Sequence, residues 1–417
     1  MFEREYREVV IQKQPSSGLT ALETAERLGV EIATVYAYAS RGSLTRRIGP
    51  DGRRSNYDPD QVELLARKGR PRSIRRAPGA VDVVIGTTIS QIGDGWIRYR
   101  CHDAIELATE RSFEDVARLL WSGAFPDRAM TSAPEGPSGS GARRAAVHAT
   151  STLGQRASSM ARLTVAVAAA SSTMDPVSVN ASETHTVAER MIDAMLASLT
   201  LNGSTPLDGA SVAKRLWVHC SPLEPTPARI DAMNRALVLL AEHELATSTL
   251  AVRVAASTGA GLAPSLLAGL GTLSGPLHGG ASARVHRRLL EGPLESVEAL
   301  SNDSSTNALE GFGHMVHRSG DPRYEPLMEA VAKIASPTAR RVIEVDRAHA
   351  RRRGAPPPNV DSALGALGFV ARTDIGATDA IFAIARTAGW CAHAIEEADE
   401  LPLRYRGRTL FRGPRPD

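Results

Sequence analysis

Apolar residues recur at steps of three and four along most of this chain. The longest such run, TPARIDAMNRALVLLAEHELATSTLAVRVAAS, begins at Thr226 and sets Ile230, Met233, Leu237 and Leu240 on one stripe. That is the pattern of a helix packed on one face, and Pro227 suits its first turn. SFEDVARLLWSGAFP and MIDAMLASL repeat the pattern. At the front, LTALETAERLGV (19–30) predicts a helix in which Thr20 and Glu23 have capping-box spacing and Gly29 marks the end. A second short helix, IATVYAYAS (32–40), follows a tight turn. RGSLTRRIGPDGRRSNYDPDQVELLARKG then predicts a Gly-Asp-rich hairpin and a third helix. Strand-like alternation is largely confined to VDVVIGTTIS (81–90). The fold class is therefore mainly α. PRSIRRAPGA (71–80) reads as a linker between a front domain over 1–75 and a main domain over 76–417, whose core begins near Val81. APEGPSGSGARR (133–144) predicts a flexible segment.

Composition supports helices. Aromatics make up only 4% of the 417 residues, while alanine and leucine abound, and these lose the least entropy in a helix. No stretch approaches the roughly 18 apolar residues of a membrane span. MFEREYREVV has no apolar core of a secretory leader. The three cysteines, Cys101, Cys220 and Cys391, are far apart and odd in number, which predicts free thiols in a reducing cytoplasm. Net charge is +3, but residues 1–76 carry 15 Lys/Arg against 10 Asp/Glu, so the basic excess sits at the front.

Residues 17–70 resemble the small winged helix-turn-helix modules of the MerR and excisionase kind. The resemblance implies DNA binding, with the second helix in the major groove and wing residues on phosphate. The candidate contacts are Arg41, Arg46, Arg47, Arg53 and Arg54. The would-be recognition helix has none of the Arg, Lys, Asn or Gln best able to read base edges. Glu31 and Ile32 stand where Ser and a basic residue are common. The alternative is a helical adaptor with a solvated basic loop.

Four stretches carry candidate chemistry. GFGHMVHRSGDPR (311–323) packs two histidines, two arginines and an aspartate behind a glycine-framed turn. SGPLHGG (274–280) sets His278 between Pro276 and a glycine pair. PPPNVDSALGAL (356–367) places Asp361 after a triple proline and Asn359, where it could also cap a helix. In AIFAIARTAGWCAHA (380–394), Arg386 is the only charge between Ala380 and Ala392. A buried guanidinium needs an anionic partner, either a distant side chain or a ligand. His314 and His317 are three apart, but with no third ligand or thiolate close in sequence we expect no metal site.

In this order the stretches resemble the citrate synthase family, over about residues 81–417. The match begins with GDGWIRYRCHDAIELATERSFEDVARLLWSGAFP. It continues through AEHELATSTLAV, GPLHGGAS, GFGHMVHRSGDPR and PPPNVD to ARTAGW and RGRTLFRG. The resemblance implies a large helical domain and a smaller one over about 283–374 that closes over the ligands. It implies condensation of acetyl-CoA with oxaloacetate, then thioester hydrolysis, with no metal or redox cofactor. By motif, Asp361 would be the base, His278 would donate to the thioester oxygen and His314 would polarise the ketone. His243, Arg323 and Arg386 would hold oxaloacetate, and Arg suits its carboxylates by bidentate geometry. Arg406 would reach a neighbouring subunit's site, which implies a homodimer or higher oligomer. Arg318 would contact the CoA phosphates, and the Gly311–Phe312–Gly313 turn would pass beside the nucleotide.

The chain departs from the family at Leu240, where many members have histidine, and at Ala246, where asparagine is common. Ser282 and Ala283 replace Asn and Glu, Gly407 replaces Pro, and Phe411 replaces Tyr. None of these is a primary catalytic group. Three functions fit: a citrate synthase, a 2-methylcitrate synthase using propionyl-CoA, or a DNA-binding sensor of CoA esters or keto acids with little turnover. The overlap of the first two follows because one methylene is worth only about 1–3 kcal/mol in a pocket.

Overall fold

The computed structural model describes residues 18–407, apart from Gly29, Glu31, Arg41, 49–54, Asp60, 63–64, 66–82, 126–138, Gln155, 175–180, 200–208 and 293–308. The chain forms two compact units, Met1–Ile85 and Gly86–Asp417. Sixteen helices are formed among the described residues.

In the first unit, helices Ala21–Leu28 and Ile32–Ser40 accompany a three-stranded antiparallel sheet. Ser55–Tyr57 lies between Leu19–Thr20 and Arg46–Ile48 in that sheet. The capping box forms as the spacing predicts. The amide of Thr20 donates to Glu23 Oε2 at 2.8 Å, and the amide of Glu23 donates to Thr20 Oγ1 at 3.3 Å. Ala25, Val35, Leu44, Tyr57 and Val62 make its core. Arg46 and Arg47 are exposed on their strand, and Arg46 Nε donates to Ser55 Oγ at 2.7 Å. Arg41, Arg53 and Arg54 lie outside the described residues, as do the 71–80 linker and most of the predicted third helix.

The second unit opens with a meander of Ser90–Gly93, Trp96–Tyr99 and His102–Asp103. Of the strand expected over 81–90, residues 83–89 form no strand: the register starts at Ser90, and beyond it Ile89 O accepts from Arg100 N at 2.8 Å. The Asp94–Gly95 turn, with Gly95 at φ 82°, sets that register. Thr88 instead bonds through its amide and hydroxyl to Glu396 Oε1, at 2.8 and 3.0 Å. The segment expected to be flexible is partly ordered, since Gly139–Ser151 is a helix; residues 133–138 are outside the described set.

Helices then stack around one core in which Trp217 and Trp390 are fully buried. The 22-residue helix Ala377–Ala398 runs through it with most of its residues buried. Its polar side chains therefore need internal partners. Glu397 Oε2 accepts from Arg253 Nε at 2.7 Å, Arg253 Nη1 lies 2.7 Å from both Glu396 Oε2 and His393 Nδ1, and His393 Nε2 lies 3.1 Å from Glu242 Oε1. A buried charge chain of this kind is tolerable because each member has an opposite or a donor beside it.

The long amphipathic run is broken in two, Pro227–Leu240 and Thr247–Ala256, with His243 in the gap. Neither proline nor glycine breaks it. Other elements take the carbonyls a helix would leave open at its end. The Tyr99 hydroxyl lies 3.2 and 3.0 Å from the oxygens of Leu239 and Glu242, Arg386 Nε donates to Leu240 O at 2.9 Å, and Gly389 N to Ala241 O at 3.1 Å. Gly389 is required there, because a Cβ would lie 2.1 Å from Glu242 Oε2 and 2.6 Å from Ala241 O.

Candidate active site

A cavity of about 400 Å³ opens in the second unit beside that break. Six of the residues picked out in the sequence line it: His243, His278, His314, Arg323, Asp361 and Arg386. They come from five separate stretches, so only the tertiary fold assembles them.

Each histidine is held in a definable state. Val316 N and His317 N both donate to His314 Nδ1 at 3.1 Å. A neutral imidazole has one donor and one acceptor, so Nε2 of His314 carries the hydrogen. Burial, followed by the charge of Arg323, pushes this histidine down to about 4, so it is neutral at physiological pH. Ser248 N donates to His278 Nε2 at 3.3 Å and Ser248 Oγ lies 2.7 Å from the same atom. That leaves Nδ1 of His278 as the N–H donor. Burial and Arg386 lower its pKa as well. His243, lowered strongly by burial and then by Arg323 and Arg386, is neutral too.

Asp361 is not the cap of its helix, as one reading of the sequence allowed. Asn359 is: its Oδ1 accepts from Asp361 N at 3.0 Å and from Ser362 N at 3.4 Å. The side chain of Asp361 is thereby free to face the cavity, where Ser282 Oγ donates to Oδ1 at 2.6 Å. Burial raises its pKa, against the lowering effect of that hydrogen bond and of Arg323.

The two arginines differ. Arg323 is buried and paired with Asp321 through Nε–Oδ1 at 2.9 Å and Nη2–Oδ2 at 2.8 Å. Arg386 is buried, donates only to Leu240 O through Nε and lies 4.9 Å from the centroid of the Phe382 ring. Its partner is thus partly a backbone carbonyl; among the described residues it forms no ion pair, which leaves both terminal nitrogens for a ligand anion.

The other sequence candidates stand apart from the cavity lining. Arg318 is exposed. The Gly311–Phe312–Gly313 turn is fastened to the segment that leads to Asp361: Gly313 N donates to Pro357 O at 2.7 Å, Asn359 N to Gly311 O at 2.9 Å, and Asn359 Nδ2 to Gly313 O at 2.8 Å. Both glycines have positive φ, 85° and 77°, and a Cβ on Gly311 would stand 2.7 Å from Val285. Arg406 is exposed on a tail held by Arg404 and Tyr405, which contact Glu397 at 2.6–2.9 Å. Ser282, named from the sequence only as a departure from its family, also lines the cavity, as do Arg284 and Asp379, which escaped the sequence reading. Asp379 was within reach of it, since it precedes Phe382 by three residues and Arg386 by seven, on one face of the helix.

The fold also brings His317 beside His243 and His314, with ligating nitrogens within 4.8 Å of one another. His243 is thus the third nitrogen ligand that the His314 and His317 pair lacked in sequence. The tautomer of His314 opposes a metal there, because Nδ1 is occupied by two amides and Nε2 carries a hydrogen.

Comparison with known proteins agrees with this geometry. The profile of the citrate synthase C-terminal domain matches residues 80–408; the chain belongs to the citrate synthase family. It is 28% identical to citrate synthase 2 of Bacillus subtilis, over 81% of this chain and 96% of that one. It is also 28% identical to the 2-methylcitrate synthase of Mycobacterium tuberculosis, over 77% and 86%. The citrate synthase of Thermoplasma acidophilum, solved in ternary complex with carboxymethyl coenzyme A and oxaloacetate, superposes with a TM-score of 0.69 at 26% identity, covering 80% of this chain and 95% of that one.

Burial pushes Asp379 up to about 6, with Arg284 opposing and Asp361 adding to the rise. A carboxyl raised on folding contributes stability that is complete below its unfolded value, about 4, and lost as pH rises through the folded one. Asp379→Asn removes that loss. The urea midpoint of the variant, relative to the native protein, should therefore be more favourable at about pH 8 than at about pH 5. An equal difference at both pH values would contradict the shift.

Proposed function

We propose that this protein condenses acetyl-CoA with oxaloacetate and water to give citrate and CoA. The observation that carries the reading is the pairing, in one cavity, of a carboxylate with two neutral histidines whose hydrogen bonds make each a donor. Removing a weakly acidic C–H proton near neutral pH needs a positioned base and a donor where enolate charge develops. Asp361 takes the methyl proton of the thioester. Nδ1–H of His278 donates to the thioester oxygen as the enolate forms, and Nε2–H of His314 polarises the ketone of the keto acid. Neutral donors suit this task, since a full positive charge would over-stabilise the enolate that must attack. Arg386, Arg323 and His243 hold the dicarboxylate, with Arg406 supplied from a second subunit of a homodimer or larger assembly. Arg318 and the Gly311–Phe312–Gly313 turn hold CoA. The smaller domain over about 283–374 closes to keep water from the thioester until carbon–carbon bond formation is complete. This chemistry asks for no metal or redox cofactor.

The test is oxaloacetate-dependent thiol release from acetyl-CoA and from propionyl-CoA. We expect release with acetyl-CoA at the higher kcat/KM; a higher value with propionyl-CoA would make the protein a 2-methylcitrate synthase, the alternative that its 28% identity to the mycobacterial enzyme fits. Asp361→Asn should abolish release while oxaloacetate still raises the melting temperature. Near-normal release from that variant would exclude Asp361 as the base. For the shared site, Arg406→Ala and Asp361→Asn subunits, each inactive alone, should regain part of the activity when mixed. No recovery despite confirmed subunit exchange would confine Arg406 to its own subunit or to no site.

The front unit supports a second, separate reading as a winged helix-turn-helix module that binds DNA through its wing. Arg46 and Arg47 are exposed on the strand leading into the hairpin. Its second helix exposes Ile32 and Tyr36, at 38% and 48%, which are not base-reading residues. Binding carried by phosphate contacts falls steeply with salt. A gel-shift titration in which retardation disappears between low and moderate salt is the expected result; no retardation at low salt would leave the unit as an adaptor. No helix among the described residues is long and apolar enough to cross a membrane, and we place the reaction in the cytoplasm.

A further inference from the structure

The two oxygens of Asp361 are not equivalent. Oδ1 accepts from Ser282 Oγ at 2.6 Å, within the short range of hydroxyl–carboxylate bonds. Oδ2 has no hydrogen bond among the described residues, and the side chain borders the cavity. Ser282 is the second residue of helix Ala281–Glu291, and Asp361 is the second residue of helix Val360–Ala371. Two helix starts therefore converge on one carboxylate. Their approach is enforced by Gly365, where a Cβ would lie 2.6 Å from Val285 and 2.8 Å from the carbonyl oxygen of Ser282. Ser282 is 3% exposed, so its hydroxyl has little water to turn to. This is one of the positions at which the chain departs from the asparagine common in its family.

We propose that Ser282 is a positioning residue for Asp361, pinning Oδ1 with its hydroxyl so that Oδ2 is turned to the methyl carbon of the thioester. The inference rests on the role proposed above for Asp361. Oδ2 takes the methyl proton, the C–H electron pair passes into the enolate facing His278, and the hydroxyl proton stays on Ser282 throughout. The same bond favours the ionised base in a buried place. The charged groups facing Asp361 are Arg323 and Arg284, which favour the anion, and Asp321, which opposes it. Asp379 faces it across the cavity from helix Ala377–Ala398. Arg323 is already engaged by Asp321, so Ser282 is the group that hydrogen-bonds the base directly.

Loss of a hydrogen bond to a charged group corresponds to about one pH unit or more. In Ser282→Ala the acidic limb of the kcat/KM profile for thiol release should move up by about that much. We expect kcat to fall about tenfold, with KM for oxaloacetate unchanged. Ser282→Thr keeps the hydroxyl and should restore both quantities. Ser282→Cys, close in volume but a weak donor, should follow the alanine variant and serves if that variant folds poorly. Infrared difference spectra against Asp361→Asn read the carboxylate band without turnover, and in Ser282→Ala the band should titrate at higher pH than in the native protein. Absent turnover in the native protein with a shifted band would fault the proposed function and sustain the hydrogen bond's control of the carboxylate. An unmoved limb and band with kcat within about twofold, or a threonine variant no better than alanine, would overturn the proposal.

Discussion

The carboxylate of Asp321 is the constraint on which the site depends. It grips Arg323 through two nitrogens, accepts the amide of Arg323 at 3.1 Å and takes the amide of Val360 at 2.9 Å. One side chain thus orients a guanidinium in the cavity wall and fixes the start of the helix that carries Asp361. The guanidinium and the hydrogen bonds hold its pKa far below the usual carboxylate range in spite of burial. Removing one partner from a buried pair of this kind costs about 3–5 kcal/mol, and here it would also free the helix that carries Asp361.

Around that anchor the cavity carries both signs of charge. Arg323, Arg386 and the imidazoles of His243, His278 and His314 share its lining with Asp361, Asp379 and Arg284. Arg284 opposes the rise that burial imposes on both carboxyls. Within the histidine cluster that could be mistaken for a metal centre, His314 presents an N–H donor and not a free lone pair. The tautomers are decided by ordinary groups, two backbone amides for His314 and one serine for His278.

How much of this was legible in the sequence follows from the range of each interaction. Helices were legible because their apolar period is local, and the capping box at Thr20 and Glu23 was legible for the same reason. The break after Leu240 was not. No residue there disfavours a helix strongly, and the chain turns because Tyr99, Arg386 and Gly389 take its carbonyls from more than a hundred positions away. Residues 83–89 looked like a strand by composition, but Thr88 found Glu396 instead of a neighbouring strand. At the site, motif order led to the six cavity residues. Asp379, the Asp321 clamp and the bond from Ser282 to Asp361 were missed because each matters only through a contact that the fold creates. Gly389 sat in plain view within ARTAGW, yet its reason, the approach of Glu242, is invisible without coordinates.

The neutrality of the imidazoles has a consequence for how the protein would behave in an acidifying cell. His314 is pushed down to about 4 by burial and Arg323, and burial with two guanidinium groups also lowers His243. The guanidinium charges themselves do not titrate over that span. The change of charge in the cavity falls on a carboxyl instead, since Asp379 in its lining is pushed up to about 6. An acidifying medium would neutralise that carboxyl and leave the two imidazoles as they are.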